Sequence, residues 1–600
     1  MYLQPSDGRL SFRQGNCFRM CTFGQYPGFI QTNLSIIPSE YADEFATFCQ
    51  NNPAPCPLLF RSAAGQHNAP LLADGSDVRS DVSTYQEYRN GVPNSEPVPD
   101  LLTHKWSDMA SFYLGCSYSF DSKLLDNGIV LSTPSMHVTN IPCIPSGPFS
   151  CNMVVTMRPI PAGKMQTAVE LSLNMDFCHG APIHIGNPGD IGLEITSSGV
   201  LPSDIKEDGK IGEGEVPCFW ACGVTGNRAL RNSKLSLSFS HYPGSMFITD
   251  ILSDNAHKIV DFPQYLAPAV ICTDPIQQRY VTVSQATVHK VDAIEYCISF
   301  DPGNRNTQVL VIPGELARVS LELSVRATKV GILVGFPLFD TPPAEENDGI
   351  AGAVYLARAL QAIGAGVVFI VDTTATQLIE CLSQCKSKGF THDNIPFIQI
   401  GRDHCGLSDI SDGDGLGFSH LIAIERPSPA CDGKYYTMKA RDISDKVGSM
   451  ADVFRQAFSD PLVTTIGIGD GGNEVGMGKV KDNVVQGIPH GDIIAADVSA
   501  EFLVSCGVSN WGGLAIAASL YLARACLVHD RYRRRGRGTH CPPDPNDFLM
   551  SGEQDEELHR WVTELGFRDG CSGRNEMTVD ALDYKTFHAK MLQNIRCHTE

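Results

Sequence analysis

The sequence predicts an α/β protein of two domains: a mixed α+β domain, followed by an α/β domain with a largely parallel sheet. Its 600 residues exceed what one hydrophobic core usually organises. The part up to about residue 250 is rich in proline, glycine and short β-prone runs. From about residue 332, apolar strands, glycine-rich loops and apolar-periodic helices alternate, as they do in a parallel sheet covered by helices.

The predicted domains are residues 1–270 and 271–600. A proline-containing connector at about 255–328 merges into the second domain. Strands are predicted at 151–157 and 245–249 in the first domain, and at 330–336, 367–372, 421–425, 464–469 and 492–497 in the second. The second domain also has a predicted helix at 349–360, and a basic run at 531–537 predicts an exposed loop before a final helical segment.

The composition is typical of an intracellular globular protein that acts on small molecules. The chain has 46 basic and 67 acidic residues, and its net charge of −21 repels nucleic acid and anionic membranes. Its 21 cysteines never have C-x-x-C spacing, which argues against a zinc ribbon or a disulfide framework and favours a reducing compartment. No apolar run reaches the length of a membrane span, and the N-terminus has no secretory apolar region.

A glycine-rich segment, Gly467–Lys479, follows one of the predicted strands of the second domain and precedes a predicted helix. The segment lacks the phosphate-loop and dinucleotide-binding motifs, so a carboxylate is the better candidate for a bound anion. Asp470, Glu474 and Asn473 are candidate catalytic residues, and the backbone N–H groups of Gly471 and Gly472 are candidate substrate or oxyanion donors. The alternative is a tight turn capped by its acids.

Acids also follow other predicted strands. Asp372, Glu425 and Asp497 each stand at the end of an apolar run, and carboxylates that converge on one sheet edge require cations or protons. We therefore expect a divalent cation, Mg²⁺ or Mn²⁺, or an amine-bearing substrate at this edge. The alternative for each acid is a cap or turn residue.

Three further residues of the second domain are candidates for substrate binding. Arg426 could clamp a carboxylate with two hydrogen bonds, and Lys434 could act on it as a point charge. Asn510 lies in the loop 509–513, which precedes an apolar helix, as does the loop 345–349. Both loops could close over the same crevice, and simple capping of their helices is the alternative.

A second candidate site lies in the first domain. His179 and His184 surround glycine and proline turns, and Arg158 directly follows the predicted strand 151–157. The spacing of the histidines is not that of a helical metal site, so acid–base catalysis on a small carboxylic acid is the better hypothesis. Cys222 is either a nucleophile or, more simply, a buried thiol.

Residues from about 290 to the C-terminus resemble the D-glutamate cyclase family. The segments that carry the resemblance are Asp301–Arg305, Gly335–Pro337, Pro342–Gly349, Ile424–Arg426, Asp432–Tyr436, Gly469–Val480 and Gly507–Gly513, with Val579, Asp580 and His588 in the tail. The resemblance implies a lyase that converts D-glutamate to 5-oxo-D-proline and water. It also implies the mitochondrial matrix, although the first-domain motifs begin close to Met1 and the cytosol stays the alternative.

Residues from about 8 to 255 resemble a bacterial family named "putative hydro-lyase". The matching segments are Gly28–Leu34, Phe48–Pro53, Gly115–Phe120, Met157–Pro159, His179–Pro182 and Phe219–Thr225. Animal members of the D-glutamate cyclase family have the same two-domain order. The resemblance leaves an alternative function open, the hydration or dehydration of another small carboxylic acid by the first domain. A non-catalytic module that binds an amino acid or nucleotide is the third hypothesis.

Closing D-glutamate into a lactam requires a base for the ammonium proton, a cation or donors for the carboxylate and oxyanion, and an acid for the departing oxygen. Asp470 or Glu474 is the predicted base. Because the cyclase-like segments all lie in the second domain, we expect a fragment from about Gln278 onward to be active by itself.

Overall fold

The chain folds into two compact units. A computed structural model describes residues 4–129, 135–197, 200–203, 208–401, 410 and 417–600. The first unit comprises Met1–Gln285 and Leu527–Cys541, and the second comprises Ala286–Cys526 and Pro542–Glu600. The boundary therefore lies somewhat after the predicted residue 270, and a short segment from near the C-terminus belongs to the first unit.

The first unit contains two antiparallel sheets. The larger has the strand order Leu58–Arg61, Met109–Gly115, Phe29–Pro38, Ser238–His241, Tyr85–Arg89 and Val92–Pro93, and Phe247–Leu252 also pairs with Phe29–Pro38. The smaller has the order Ser135–Pro142, Asn152–Pro161, Glu215–Ala221 and His184–Ile185. Two-stranded ribbons join Val200–Leu201 to Gly209–Lys210 and Pro268–Asp274 to Arg279–Ser284.

Helices complete the core of the first unit. They are Pro5–Arg13, Ala42–Asn51, Tyr118–Asp126, Met165–Leu173, Val224–Ser233 and Leu527–Arg533. One buried apolar cluster contains Phe112 of the larger sheet, Val155 and Phe219 of the smaller sheet, and Phe45 and Leu230 of two helices. The two sheets and the helices Ala42–Asn51 and Val224–Ser233 therefore share one hydrophobic core, as predicted for a mixed α+β domain.

The sequence predicted an exposed loop at the basic run 531–537, and this prediction is wrong. The run begins within the helix Leu527–Arg533, where Arg531 and Tyr532 are buried. Arg531 donates to Asp176 at 3.0 Å, and the Tyr532 hydroxyl donates to the carbonyl of Tyr280 at 2.6 Å. The local charge pattern suggested solvent, but partners that are distant in sequence satisfy these side chains.

The second unit is built on a six-stranded parallel sheet. Its strand order is Phe397–Ile400, Gly366–Asp372, Lys329–Val334, His420–Ile424, Thr464–Gly469 and Phe502–Ser505, and all neighbouring strands are parallel. Helices are Gln285–Ile298, Glu315–Arg326, Ile350–Ala362, Thr376–Ser383, Met450–Phe458, Lys481–Gly487, Gly491–Ile494, Ser509–Ala525, Pro545–Phe548, Gly552–Glu564 and Ala589–Thr599, with a small hairpin of Thr578–Val579 and Leu582–Asp583. The predicted α/β class is confirmed.

Four of the five predicted strands of this sheet are present, and the strand Thr464–Gly469 has the predicted bounds. The predicted strand at 492–497 is wrong. Residues Gly491–Ile494 form a short helix, and the edge strand is Phe502–Ser505. A short apolar run does not distinguish a strand from a buried helical turn, which explains the error.

The strand order places a crevice at the centre of the sheet. From Lys329–Val334 the chain moves outward through Gly366–Asp372 to one edge, and then through His420–Ile424 to the other edge. The order therefore reverses between Lys329–Val334 and His420–Ile424. In open parallel sheets, ligands bind beyond the carboxyl ends of the strands at such a reversal.

Among the described residues, no single helix is long and apolar enough to cross a membrane. Ser509–Ala525 and Leu527–Arg533 meet the criteria of length and composition only when they are counted together as a broken pair.

Candidate active site

Three buried carboxylates meet at the crevice of the second unit. Oxygens of Asp348, Glu425 and Asp470 all lie within 4.8 Å of one another, and we call these three residues the acid cluster. Glu425 directly follows the strand His420–Ile424, and Asp470 directly follows Thr464–Gly469. Asp348 lies in the loop between the strand Lys329–Val334 and the helix Ile350–Ala362. The topology thus brings together acids from three separate loops.

Backbone N–H groups hold Asp348 in place. Its carboxylate accepts hydrogen bonds from the N–H groups of Gly349 at 2.8 Å, Ser509 at 3.0 Å and Asn510 at 2.9 Å. The Asn510 side-chain oxygen in turn accepts from the N–H of Gly352 at 2.8 Å. Asn510 therefore joins the starts of two helices beside the cluster. Its side-chain nitrogen is buried without a partner among the described residues, and its role in substrate binding stays a prediction.

Gly349 allows Glu425 to approach the cluster. A Cβ atom at residue 349 would lie 2.5 Å from the Cβ of Glu425, and the backbone of Gly349 has φ +81°. Glu425 itself has φ +42°, which is uncommon for a residue other than glycine. One side-chain oxygen of Glu425 is buried without a hydrogen-bond partner among the described residues.

Other charges surround the acid cluster. Glu346 is buried, the side chain of Asp580 is 10% exposed, and the Arg305 guanidinium lies 3.1 Å from carboxylate oxygens of both Asp470 and Asp580. Burial raises the pKa of Asp348 and the pKa of Asp470, each to about 7, and Arg305 opposes the rise at Asp470. Burial also raises the pKa of Glu425 and of Glu346 well above the usual range. At neutral pH this site must retain protons or bind a cation.

Glu474 holds the glycine loop together. Its carboxylate accepts hydrogen bonds from the N–H groups of Asp470 at 3.2 Å, Gly471 at 2.7 Å and Gly472 at 2.7 Å. The predicted oxyanion donors at Gly471 and Gly472 are therefore already bonded, and both oxygens of Glu474 are occupied. The helix expected after this glycine-rich segment is present, with a 3-10 turn at Gly478–Val480 that leads into the α-helix Lys481–Gly487.

Asn473 is also fixed within this loop. Its side-chain N–H donates to the carbonyl of Tyr436 at 2.8 Å, while its side-chain oxygen is buried without a partner among the described residues. Of the three predicted catalytic residues, Asp470 alone belongs to the acid cluster. Its catalytic role stays a prediction.

Arg426 and Asp372 form an ion pair with each other. The guanidinium of Arg426 donates to the two carboxylate oxygens of Asp372 at 2.5 and 3.1 Å and to the carbonyl of Gly335 at 2.9 Å. Both side chains are buried. The predicted substrate clamp and the predicted metal ligand therefore form an internal ion pair next to the crevice, and neither is available for the expected role in this arrangement.

Lys434 and Asp497 lie away from the acid cluster. The Lys434 side chain is 55% exposed and lies 3.1 Å from Asp442. Asp497 is partly exposed, and its carboxylate pairs with Lys481 at 2.8 Å. Of the three predicted metal ligands, only Glu425 belongs to the cluster. Asp372 is paired with Arg426, and Asp497 does not end a strand of the sheet.

For D-glutamate, the substrate that the sequence resemblance implies, we expect Lys434→Ala to leave the KM within about twofold of the wild-type value. The reason is that an exposed ammonium group in water contributes little to the binding of a buried ligand. Steady-state kinetics of 5-oxoproline formation measure this effect. A tenfold rise in KM would show instead that Lys434 reaches the substrate.

Sequence reasoning missed Asp348, Glu346, Arg305 and Asp580 as site residues. Asp348 and Glu346 lie in a loop that was expected to close over the crevice, and Arg305 and Asp580 belong to segments that carry the family resemblance. No spacing within the sequence connects these four residues. Only the fold brings them together.

The structure brings two of the three candidates of the first unit to one pocket: His179 lines it, Arg158 reaches it through Ser117, and His184 lies outside it. Arg158 lies behind this small pocket and donates to Ser117 at 3.1 Å and to Asp121 at 3.0 Å. His184 does not line this pocket, because its ring hydrogen-bonds the carbonyl of Asn187 and packs on Phe219. Cys222 lines the pocket, and burial raises the pKa of its thiol.

Known proteins resemble this chain along nearly its whole length. Human mitochondrial D-glutamate cyclase is 34% identical over 577 residues, which are 94% of this chain and 92% of the human protein. The chain belongs to the D-glutamate cyclase family. A family model described as "D-glutamate cyclase-like, C-terminal" matches residues 294–596. The resemblance that the sequence motifs indicated is therefore confirmed.

The first unit of this member of the D-glutamate cyclase family also resembles known proteins by itself. A model described as "D-glutamate cyclase" matches residues 110–250. A "putative hydro-lyase" of Corynebacterium jeikeium is 42% identical over 252 residues, 41% of this chain and 90% of that protein. Another, from Bacillus subtilis, is 38% identical over 259 residues, 42% of this chain and 98% of that protein. These bacterial relatives correspond to the N-terminal region alone.

Proposed function

We propose that this protein is a lyase that converts D-glutamate to 5-oxo-D-proline and water. The observation that carries the proposal is the 34% identity to human D-glutamate cyclase over 94% of the chain. The acid cluster at the sheet reversal supports it, because the ammonium group of D-glutamate has the charge that this cluster lacks. A small-molecule substrate is the partner that this reaction requires.

In the proposed reaction, Asp470 accepts a proton from the substrate ammonium group. Asp348 protonates the γ-carboxylate, and the freed amine forms a C–N bond with its carbon. The nitrogen then returns its second proton to Asp348, and Asp470 passes its proton to the hydroxyl group, which leaves as water when the C–O bond breaks. A pKa near 7 suits a group that exchanges protons at neutral pH, and burial gives Asp470 such a value. Asp348, whose pKa burial also raises to about 7, is the proposed proton donor to the γ-carboxylate.

We further propose a second form of charge compensation, in which Asp348, Glu425 and Asp470 hold a divalent cation, Mg²⁺ or Mn²⁺, in place of the retained protons. Carboxylate oxygens are the ligands that these ions prefer, and the Glu425 oxygen that has no partner among the described residues could bind the ion. A bound cation would neutralise the substrate carboxylate and the developing oxyanion. The proposal replaces the predicted ligand set, of which only Glu425 remains.

Chelation tests the cation proposal. We expect the protein, after EDTA treatment and desalting, to lose at least about tenfold in rate and to recover with added Mg²⁺ or Mn²⁺. Titration with Mn²⁺, followed by electron paramagnetic resonance, should show one tight site per chain that Glu425→Gln weakens. Full activity without metal, together with no Mn²⁺ site, would contradict the proposal and leave protons as the compensating charges.

The first unit is the second candidate for the catalytic site, because the model described as D-glutamate cyclase matches residues 110–250. This alternative keeps the hydro-lyase reaction but moves it to the pocket that contains His179. Point variants in the full chain decide between the units: Asp470→Asn should abolish the reaction if the second unit is catalytic, and His179→Asn if the first unit is.

A fragment that begins at Gln278 is no longer a suitable test. It would separate the paired strands Pro268–Asp274 and Arg279–Ser284, and it would contain Leu527–Cys541 without the rest of the first unit. The direct assay of the function is incubation of the full-length protein with D-glutamate or L-glutamate and measurement of 5-oxoproline. Formation from neither substrate would overturn the proposed function.

We propose the mitochondrial matrix as the location, because the human relative is named as mitochondrial. The cytosol is the alternative. The net charge of −21 continues to argue against nucleic acid or an anionic membrane as a partner. Cell fractionation of the native protein distinguishes the two compartments.

A further inference from the structure

The first unit contains a second ligand site, which the cyclase reaction proposed for the second unit does not use. Two strands, Met109–Gly115 and Glu215–Ala221, end in the same way: each is followed by a cysteine and then by the start of a helix. These helices are Tyr118–Asp126 and Val224–Ser233. The turns Cys116–Tyr118 and Cys222–Val224 line one pocket.

Both helix starts favour an anion in this pocket. The N–H groups of a first helical turn point out of the N-terminus, where the helix dipole also favours negative charge. Among the described residues, neither helix has a side-chain cap, and no aspartate or glutamate lines the pocket. The N–H groups of Ser119, Phe120, Thr225 and Gly226 already bond backbone carbonyls of the two turns, so an anion would bind at the N–H groups of Tyr118 and Val224.

A buried arginine reinforces this preference. The Arg158 side chain is 1% exposed and donates to Ser117, which lines the pocket. Its Nε and Nη1 atoms have no hydrogen-bond partner among the described residues. The rings of Phe120 and Trp220 lie against the guanidinium, so little solvent screens its charge. Asp121 balances the charge on one side only.

His179 gives the pocket a second, independent feature. It lines the pocket and is 1% exposed, and its Nδ1 atom hydrogen-bonds the carbonyl of Ala54 at 2.7 Å. Because a carbonyl only accepts, Nδ1 carries the proton. Burial lowers the pKa of His179 to about 4, so the ring is neutral. Its Nε2 atom then presents a lone pair, for which the described residues offer no donor.

We propose that this pocket binds a small carboxylic acid with a hydrogen-bond donor next to the carboxylate, which is a 2-hydroxy or 2-amino acid. The carboxylate lies at the two helix starts, and the adjacent hydroxyl or amino group donates to Nε2 of His179. The pocket is small, about 30 Å³, which limits the ligand to the smallest acids of this class, such as glycolate and glycine. The proposal concerns binding, and it holds whichever unit carries the cyclase reaction.

Protection of Cys222 tests the proposal in the full-length protein. Cys222 is partly exposed and lines the pocket, so a bound acid should shield it from iodoacetamide, and mass spectrometry can follow the alkylation of each cysteine. We expect glycolate or glycine at about 20 mM to slow the alkylation of Cys222 at least threefold. Acetate should slow it less, and the neutral amide glycolamide should leave the rate unchanged. Exposed Cys431, in the second unit, is the internal control.

The arms of the experiment also identify the donor. Protection by glycolate alone assigns a 2-hydroxy acid, and protection by glycine alone assigns a 2-amino acid. Equal protection by glycolamide and glycolate, or no protection by any acid, would overturn the proposal. Calorimetric titration with glycolate and with glycine is the second readout, and no binding of either acid would overturn the proposal even if Cys222 resists alkylation.

His179→Asn is the matched variant, because asparagine tolerates the backbone conformation of residue 179, which has φ +84°. We expect this variant to lose the advantage of the donor-bearing acids over acetate while acetate still protects. His104→Asn, in the same unit but outside the pocket, should behave as the wild type. Unchanged selectivity in a folded His179→Asn protein would exclude the proposed contact with Nε2.

Discussion

Replacing Asp470 by Asn is expected to slow 5-oxoproline formation by about 10²-fold or more, the usual scale for the loss of a proton-transfer group. Asparagine keeps the size of the side chain and still accepts from Arg305, but it cannot take a proton from the substrate. The carboxylate of Asp470 lies 3.1 Å from Arg305 and within the acid cluster, so its charge is also a potential ligand for a cation. Initial rates at saturating D-glutamate measure the effect.

The fold should tolerate this change. Removal of one of several buried acids lowers the repulsion among them, which offsets the weaker interaction with Arg305. Asp497→Asn is the matched control, because Asp497 is partly exposed and paired with Lys481 outside the cluster. Near-wild-type turnover in a folded Asp470→Asn protein would remove Asp470 from the mechanism and direct attention to the first unit.

Glu474→Gln is expected to destabilise the glycine loop by about 3 kcal/mol, because hydrogen bonds to a charged group contribute about 1.5–3 kcal/mol each. Glu474 accepts from three backbone N–H groups through its two oxygens. Glutamine retains one oxygen and turns an NH₂ group toward the remaining donors. Hydrogen exchange of the amides at Gly471 and Gly472 should therefore accelerate by roughly 10²-fold.

A loop that opens in this way should also lose turnover, since Asp470 lies at its start. The matched control is Glu564→Gln, because Glu564 is exposed and ends the helix Gly552–Glu564. If exchange at Gly471 and Gly472 stays slow in Glu474→Gln, the loop is held by its packing and not by this carboxylate. If exchange accelerates only slightly while turnover falls about 10²-fold, Glu474 would instead act as the base that the sequence suggested.

Local patterns located the strands that carry Glu425 and Asp470. The apolar run 464–469 and the glycines after it predicted a buried strand that ends at an acid, and the structure confirms this placement. The same reasoning failed at 492–497, where apolar residues pack as a short helix and Asp497 stays near the surface. Hydrophobic runs report burial, but they do not report which element buries them.

The sequence by itself determined the α/β class, the presence of two domains, the family and the importance of the segment around Asp470, because these depend on periodicity and on motifs that are contiguous in the chain. The tertiary structure decided which acids meet. Arg426 neutralises Asp372, Glu474 binds the loop amides, and Asp348 joins Glu425 and Asp470 from a third loop. Hydrogen bonds and ion pairs act over only a few ångströms in space. Asp348 and its hydrogen-bond donor Ser509 are more than a hundred positions apart in the sequence, so they meet only after the sheet has formed.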